Sequence, residues 1–81
     1  MTPIKGISLS KLSADKLATI LFFSSGRLEM MRLASLGFTP GAQVAMTQNY
    51  GRGPLIVMVR GTHVALGRGE ADQIFVQPEQ E

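Results

Sequence analysis

Apolar and polar positions change over in short runs, with glycine every few residues, and such a pattern predicts several short strands around a single helix. Ile7-Ser8-Leu9-Ser10-Lys11-Leu12 alternates strictly, a half-buried edge element leading into a turn at Ser13-Ala14-Asp15. Leu17–Phe23 is rich in β-branched and aromatic residues and predicts the first core strand, largely buried. The period then changes. From Arg27 to Leu36 the residues are mainly good helix formers, and Ser24, Ser25 or Gly26 is placed to cap them. With Gly26 as the cap, Glu29 occupies the third helical position, where a carboxylate favours the positive end of the helix dipole. Gly37 supplies a left-handed stop that lets Phe38 fold back against Leu33, the hydrophobic contact of a Schellman motif. Thr39-Pro40-Gly41-Ala42 then fits a type II turn, with Pro fixing the second position and Gly the third.

The second half continues in strands. Gln43–Tyr50 alternates with Val44 and Met46 on one face, and Gly51-Arg52-Gly53-Pro54 breaks it. Leu55–Arg60 is apolar on both faces, and Gly61-Thr62 joins it to His63–Leu66 as a hairpin. Gly67–Gln73 holds one helical turn before Ile74-Phe75-Val76 closes the sheet and Gln77-Pro78 ends it. The expectation is a mainly β domain with one helix, over residues 1–78, followed by a short acidic tail at 79–81. Five short curved strands in so small a chain predict a small barrel, since closure removes edges that pair with other chains.

At about 100° per residue, Met30, Leu33, Ala34 and Leu36 share the helix face expected to pack on the barrel. Leu28 and Met31 fall roughly 140–160° from Leu33, beside Arg32. They leave a second apolar spot facing out, for a partner segment, for weak self-association, or for cover by the N-terminal segment. Interfaces favour Met, aromatics and Arg, so Leu28, Met31 and Arg32 are candidate partner-contact residues. Tyr50 and Arg52, at a loop tip, are a second candidate pair because both types are enriched at binding hot spots.

Composition narrows the chemistry. The 81 residues include no cysteine and one histidine, which excludes a disulfide framework, a thiolate zinc site and a two-histidine metal signature within one chain. No catalytic, cofactor or metal residues are expected. His63, Glu29, Glu70 and Asp72 are isolated, and none belongs to a ligand cluster with helical spacing. The glycines at 51, 53, 67 and 69 match neither a dinucleotide nor a phosphate-loop motif, and no serine sits in a nucleophile motif. The longest apolar run, Ile20–Phe23, is far too short to span a bilayer, and the N-terminus lacks a secretory pattern, so a cytoplasmic protein is expected. Eight Lys/Arg against six Asp/Glu leave +2, or +4 over residues 1–78 with Glu79 and Glu81 set aside. The cations are scattered, unlike the clustered stripe of a nucleic-acid domain.

The stretch Leu33-Ala34-Ser35-Leu36-Gly37-Phe38-Thr39-Pro40-Gly41 resembles the FeoA family of small accessory proteins of bacterial ferrous iron transport. The family's arginine-bearing helix, Leu-Gly-Phe stop, x-Pro-Gly turn and Val-rich strand are matched by Arg32, Leu36, Gly37, Phe38, Pro40, Gly41 and Val44. Pro54, Arg60-Gly61, Ala65-Leu66, Glu70-Ala71 and Ile74-Phe75-Val76 are similar to the family's second half; Gly67, Gly69 and Gly53-Pro54 depart from it within loops. The resemblance implies an SH3-like five-stranded barrel with an inserted helix, related to the C-terminal domains of some iron-dependent repressors. It also implies a partner, the membrane ferrous iron permease FeoB with its cytosolic GTP-binding domain. The chain is therefore expected to be a non-enzymatic interaction module without a cofactor. A nucleic-acid-binding barrel and a stand-alone metal-sensing domain are the alternatives.

Overall fold

The structure, a computed structural model, describes residues 6–79. Its elements are β1 (Ile7–Ser8), a 3-10 helix (Leu9–Lys11), β2 (Leu17–Phe23), α1 (Arg27–Ser35), β3 (Gln43–Gln48), β4 (Leu55–Val59), β5 (Thr62–Leu66), α2 (Arg68–Asp72) and β6 (Ile74–Pro78). All six strands form one antiparallel sheet in the order β1-β6-β2-β3-β4-β5. The sixth strand is the two-residue opening segment. The alternation from Ile7 to Leu12 gives way to a 3-10 turn after Ser8, which drops Leu9 and Leu12 into the core.

Two register shifts curl the sheet. One lies between Ile20 and Phe22 on β2, opposite β6, and the other between Met46 and Gln48 on β3, opposite β4. An extra residue in one strand bends it and increases its twist. It also reverses which side chains face inward. Ala18 and Ile20 are buried, but beyond the shift Phe23 turns to the core and Phe22 turns out, 51% exposed and stacked on Phe75 with ring centroids 4.8 Å apart. Leu17 is exposed as well. β2 is thus half buried, not largely buried as its composition suggests. Inside the curl lie Leu9, Ile20, Leu33, Phe38, Val44, Met46, Leu55, Val57, Leu66, Ile74 and Val76, all at 1% exposure or less.

The α1 stop forms as its residues dictate. Phe38 N–H donates to the Leu33 carbonyl and Gly37 N–H to that of Ala34, each at 3.0 Å, which are the two bonds of a Schellman motif. Ala42 N–H then donates to Thr39 O at 2.9 Å, closing the turn in which Gly41 has φ +90°. Arg60 reaches across from the β4–β5 corner to donate to Gly37 O at 3.4 Å and to Thr39 Oγ1 at 3.2 Å. A side chain at Gly37, where φ is +105°, would press on the Arg60 Cδ at 3.3 Å and on Val59. Gly37→Ala should therefore cost about 1–3 kcal/mol in urea unfolding; a loss below about 0.5 kcal/mol would show that the stop tolerates an L-residue.

The hairpin corner is Arg60-Gly61, both with positive φ, and Thr62 already pairs with Val59 in the ladder. The connection therefore lies one residue earlier than Gly61-Thr62. Glu79 also belongs to the fold: its N–H donates to Leu17 O at 2.9 Å, and its carboxylate accepts from the Gln43 side chain. Residues 80 and 81 of the expected acidic tail lie outside the described residues.

Candidate interaction surface

Leu33 is the one buried residue of α1. Met30 and Leu36, expected to pack beside it, are each 38% exposed, and Ala34 is exposed too. A nine-residue helix lying over a strongly curved sheet is anchored at its C-terminal turn, and one turn earlier Met30 already emerges. The opposite face is exposed: Leu28 at 83% and Met31 at 59%. No described residue covers them, and the segment Met1–Lys5 lies outside the described residues.

Arg32 stands on the same helix, but its charge is matched within the chain. It bonds Glu29 Oε2 at 2.8 Å, one turn back, and also pairs with the carboxylate of Glu70 on α2. The cation beside the apolar spot that lacks a carboxylate partner among the described residues is Arg27. Positions four apart are neighbours on a helix surface, so Arg27 adjoins Met31. Sequence reading singled out Arg32 because it flanks Leu28; the i, i+3 spacing of Glu29 and Arg32 was the signal that it would be neutralised.

α2 carries the link from this helix to the loop between β3 and β4. Glu70 pairs with Arg32 and also accepts from Gly67 N–H at 3.1 Å. Arg68 donates to Asn49 Oδ1 at 2.7 Å, to Ser10 O at 3.2 Å and to Gly53 O at 3.3 Å. Asn49 in turn donates to the Ser10 and Leu12 carbonyls, both at 2.9 Å. Ser10 Oγ bonds the Asp72 carboxylate. Among the described residues no backbone ladder joins the two ends of the sheet, β1 and β5. Arg68, just after β5, bonds Ser10 O, just after β1, and Asn49 braces both, so this Arg68–Asn49 clasp links the two ends instead. Neither residue stands out in the sequence: Asn49 falls within the strand expected over Gln43–Tyr50, whereas β3 ends at Gln48, and Arg68 is one of several scattered cations until the ends of the sheet are brought together. Removing Arg68 takes the donor from Gly53 O and one of the two donors from Ser10 O and from Asn49 Oδ1, so Arg68→Ala should cost about 1.5–3 kcal/mol by urea unfolding; a change under about 0.5 kcal/mol would leave the clasp without a role.

The clasp holds the base of the loop from which Tyr50, 78% exposed, and Arg52 project. Arg52 has no carboxylate partner among the described residues. Arg32 is thus tied to α2 through Glu70, and the base of the loop bearing Tyr50 and Arg52 is tied to α2 through Arg68 and Asn49.

An open groove of 440 Å³ on the outer face of β2, β3 and β4 is lined by Leu17, Ala45 and Met58, with Arg60 its one charged residue. Among the described residues no three His, Asp or Glu side chains come together in a metal-holding group, and His63 is exposed on β5. Of the described cations, Arg32 is paired, Arg68 serves the clasp and Arg60 the α1 stop.

Comparison with known proteins places this geometry. The FeoA domain profile matches residues 7–78. A Methanocaldococcus jannaschii chain provisionally named Fe(2+) transport protein A is 38% identical over 48 residues, 59% of this chain and 57% of that relative's length. A crystal structure of an iron uptake regulatory protein, FeoA, superposes with a TM-score of 0.87 at 27% identity, covering 93% of this chain and all of the other (100%). Stenotrophomonas maltophilia FeoA, solved with zinc and described as a prokaryotic SH3 domain protein, gives a TM-score of 0.79 at 29% identity, over 91% of this chain and 96% of that one.

Proposed function

The chain belongs to the FeoA family of Fe(2+) transport accessory proteins, and from that premise we propose that it is a binding module acting on the cytosolic part of the membrane ferrous iron permease, an FeoB-like protein with a GTP-binding domain. The family is not an enzyme family, and no described helix is long and apolar enough to cross a membrane. In this reading the permease spans the membrane and carries Fe(2+) as its cargo.

One observation carries the proposal: the open face of α1. Leu28 and Met31 are held out on a helix whose own anchor, Leu33 with the Gly37–Phe38 stop, lies on the other side. Apolar side chains left uncovered on a chain this small are a preferred site for a partner, and methionine adapts to an irregular contact. Arg27 beside them and Arg52 on the loop add positive charge that steers an acidic partner surface toward this side. In cells that carry the permease but lack this chain, restoring wild-type protein should restore Fe(2+) uptake, whereas Met31→Asp at equal abundance should leave uptake at the deleted level. Full uptake with Met31→Asp would overturn the proposal.

A further inference from the structure

β5 is an end strand of the sheet, and among the described residues no strand pairs with its outer edge. Its ladder with β4 starts from the two-residue corner Arg60-Gly61, so Val59 and Thr62 form the first hydrogen-bonded pair. Bonded and non-bonded pairs then alternate: Thr62, Val64 and Leu66 turn their backbone groups to β4, while His63 and Ala65, opposite Met58 and Ile56, turn theirs away. Among the described residues no hydrogen bond is made to the N–H or C=O of His63 or Ala65. Two donors and two acceptors at a spacing of two residues are the template for one more strand.

Proteins blunt such an edge by shortening it or by placing Lys or Pro on it. The opposite edge, β1, is two residues long and is followed at once by the 3-10 helix, with Ser8 Oγ donating to Asp72 O at 3.1 Å. β5 has five residues, Thr62-His63-Val64-Ala65-Leu66, without Lys or Pro. An outer row, Leu17, Ala45 and Met58, runs in register across β2, β3 and β4 and reaches the edge at His63 on β5.

Charge selects the occupant. Arg60 and Arg68 flank β5; both guanidiniums donate to neutral oxygens of the chain, which leaves their charge unmatched, since neither has a carboxylate partner among the described residues and no acid lies between residues 59 and 69. A second copy of this chain, pairing antiparallel about Val64, would set Arg60 beside Arg68 of the other copy at both ends, a like-charge cost that opposes self-association. An extended segment with acidic residues meets opposite charge at each end instead. We propose that the free edge of β5 is a strand-addition site for an extended acidic polypeptide segment, distinct from the α1 face and independent of it.

The probe is a capped seven-residue peptide of alternating Glu and Val, added to the full chain at low salt while amide hydrogen exchange is followed residue by residue. His63 and Ala65 amides should exchange freely in the free chain and slow by about tenfold or more at saturation, with Thr62 and Val64 protected throughout. A Lys/Val peptide, or the Glu/Val peptide with alternate backbone nitrogens methylated, should give no protection. Ala65→Pro removes an edge donor without touching the β4 ladder and should abolish the effect, while Arg60→Glu should weaken it; circular dichroism of both confirms the fold. Equal protection by the methylated peptide overturns the proposal. So does protection of His63 and Ala65 that rises with protein concentration alone, which would assign the edge to a second copy. Loss of binding by Met31→Asp with β5 protection unchanged would leave this edge standing and bear only on the permease contact.

Discussion

Phe38→Ala should cost about 3–5 kcal/mol and bring the domain near the limit of folding. An 81-residue chain has roughly 4–12 kcal/mol of stability in all, at about 0.05–0.15 kcal/mol per residue. Phe38 is among the largest fully buried side chains, and it has two tasks. It fills the interior beneath the curled strands, and its N–H bonded to Leu33 O fixes the end of α1. Truncation opens a cavity at a point where Gly37, held under Arg60 and Val59, keeps the chain from settling inward. Urea unfolding followed by circular dichroism measures the loss, with Phe22→Ala as the comparison: that ring is half exposed, and its stacking on Phe75 should be worth no more than about 1.5 kcal/mol. Similar losses for the two variants would mean that the core is not organised around the helix stop.

The second large effect is on binding. Met31→Asp and Leu28→Asp each place a carboxylate in the open face of α1, and each should weaken binding to the permease's cytosolic domain by about tenfold to a hundredfold, the range expected of residues in a contact centre. Neither side chain touches the core, so unfolding midpoints should stay within about 0.5 kcal/mol of wild type. Arg52→Glu should act more through the association rate, and its effect should shrink as salt is raised, because the loop is exposed and its charge is screened. Arg32→Ala should change affinity less than Met31→Asp, since its guanidinium already answers two carboxylates. Calorimetry over the four variants separates these cases. Full affinity in both aspartate variants would remove α1 from the contact.

What could be read in the chain was what neighbours in sequence decide. The α1 cap and stop, the turn at Thr39–Ala42 and the inward pair Val44 and Met46 are local devices, and each forms where its residues imply; the β4–β5 hairpin forms too, with its corner one residue earlier, at Arg60-Gly61. The register shift after Ile20 was not legible, because an extra residue in β2 has meaning only against β6, more than fifty positions away. It alone decides that Phe23 faces in and Phe22 out. The same holds for the packing of α1: helical period grouped Met30, Leu36 and Ala34 with Leu33, while the curvature of the sheet beneath sets how many of them are covered. Of the candidate surface, Leu28 and Met31 were visible as the residues opposite Leu33. The neutralisation of Arg32 by Glu70, the clasp of Arg68 on Asn49 and the open edge at His63 and Ala65 depend on contacts between distant segments.

The account stands on binding through the exposed side of α1 and the loop after β3. Its most direct test is a titration of the isotope-labelled chain with the permease's cytosolic domain, followed by amide chemical shifts. Resonances of Leu28, Met31 and Arg32, with those of Tyr50 and Arg52, should shift or broaden together and saturate at one partner per chain. Saturated binding that leaves all five in place, or no binding at concentrations where the permease is active, would contradict it.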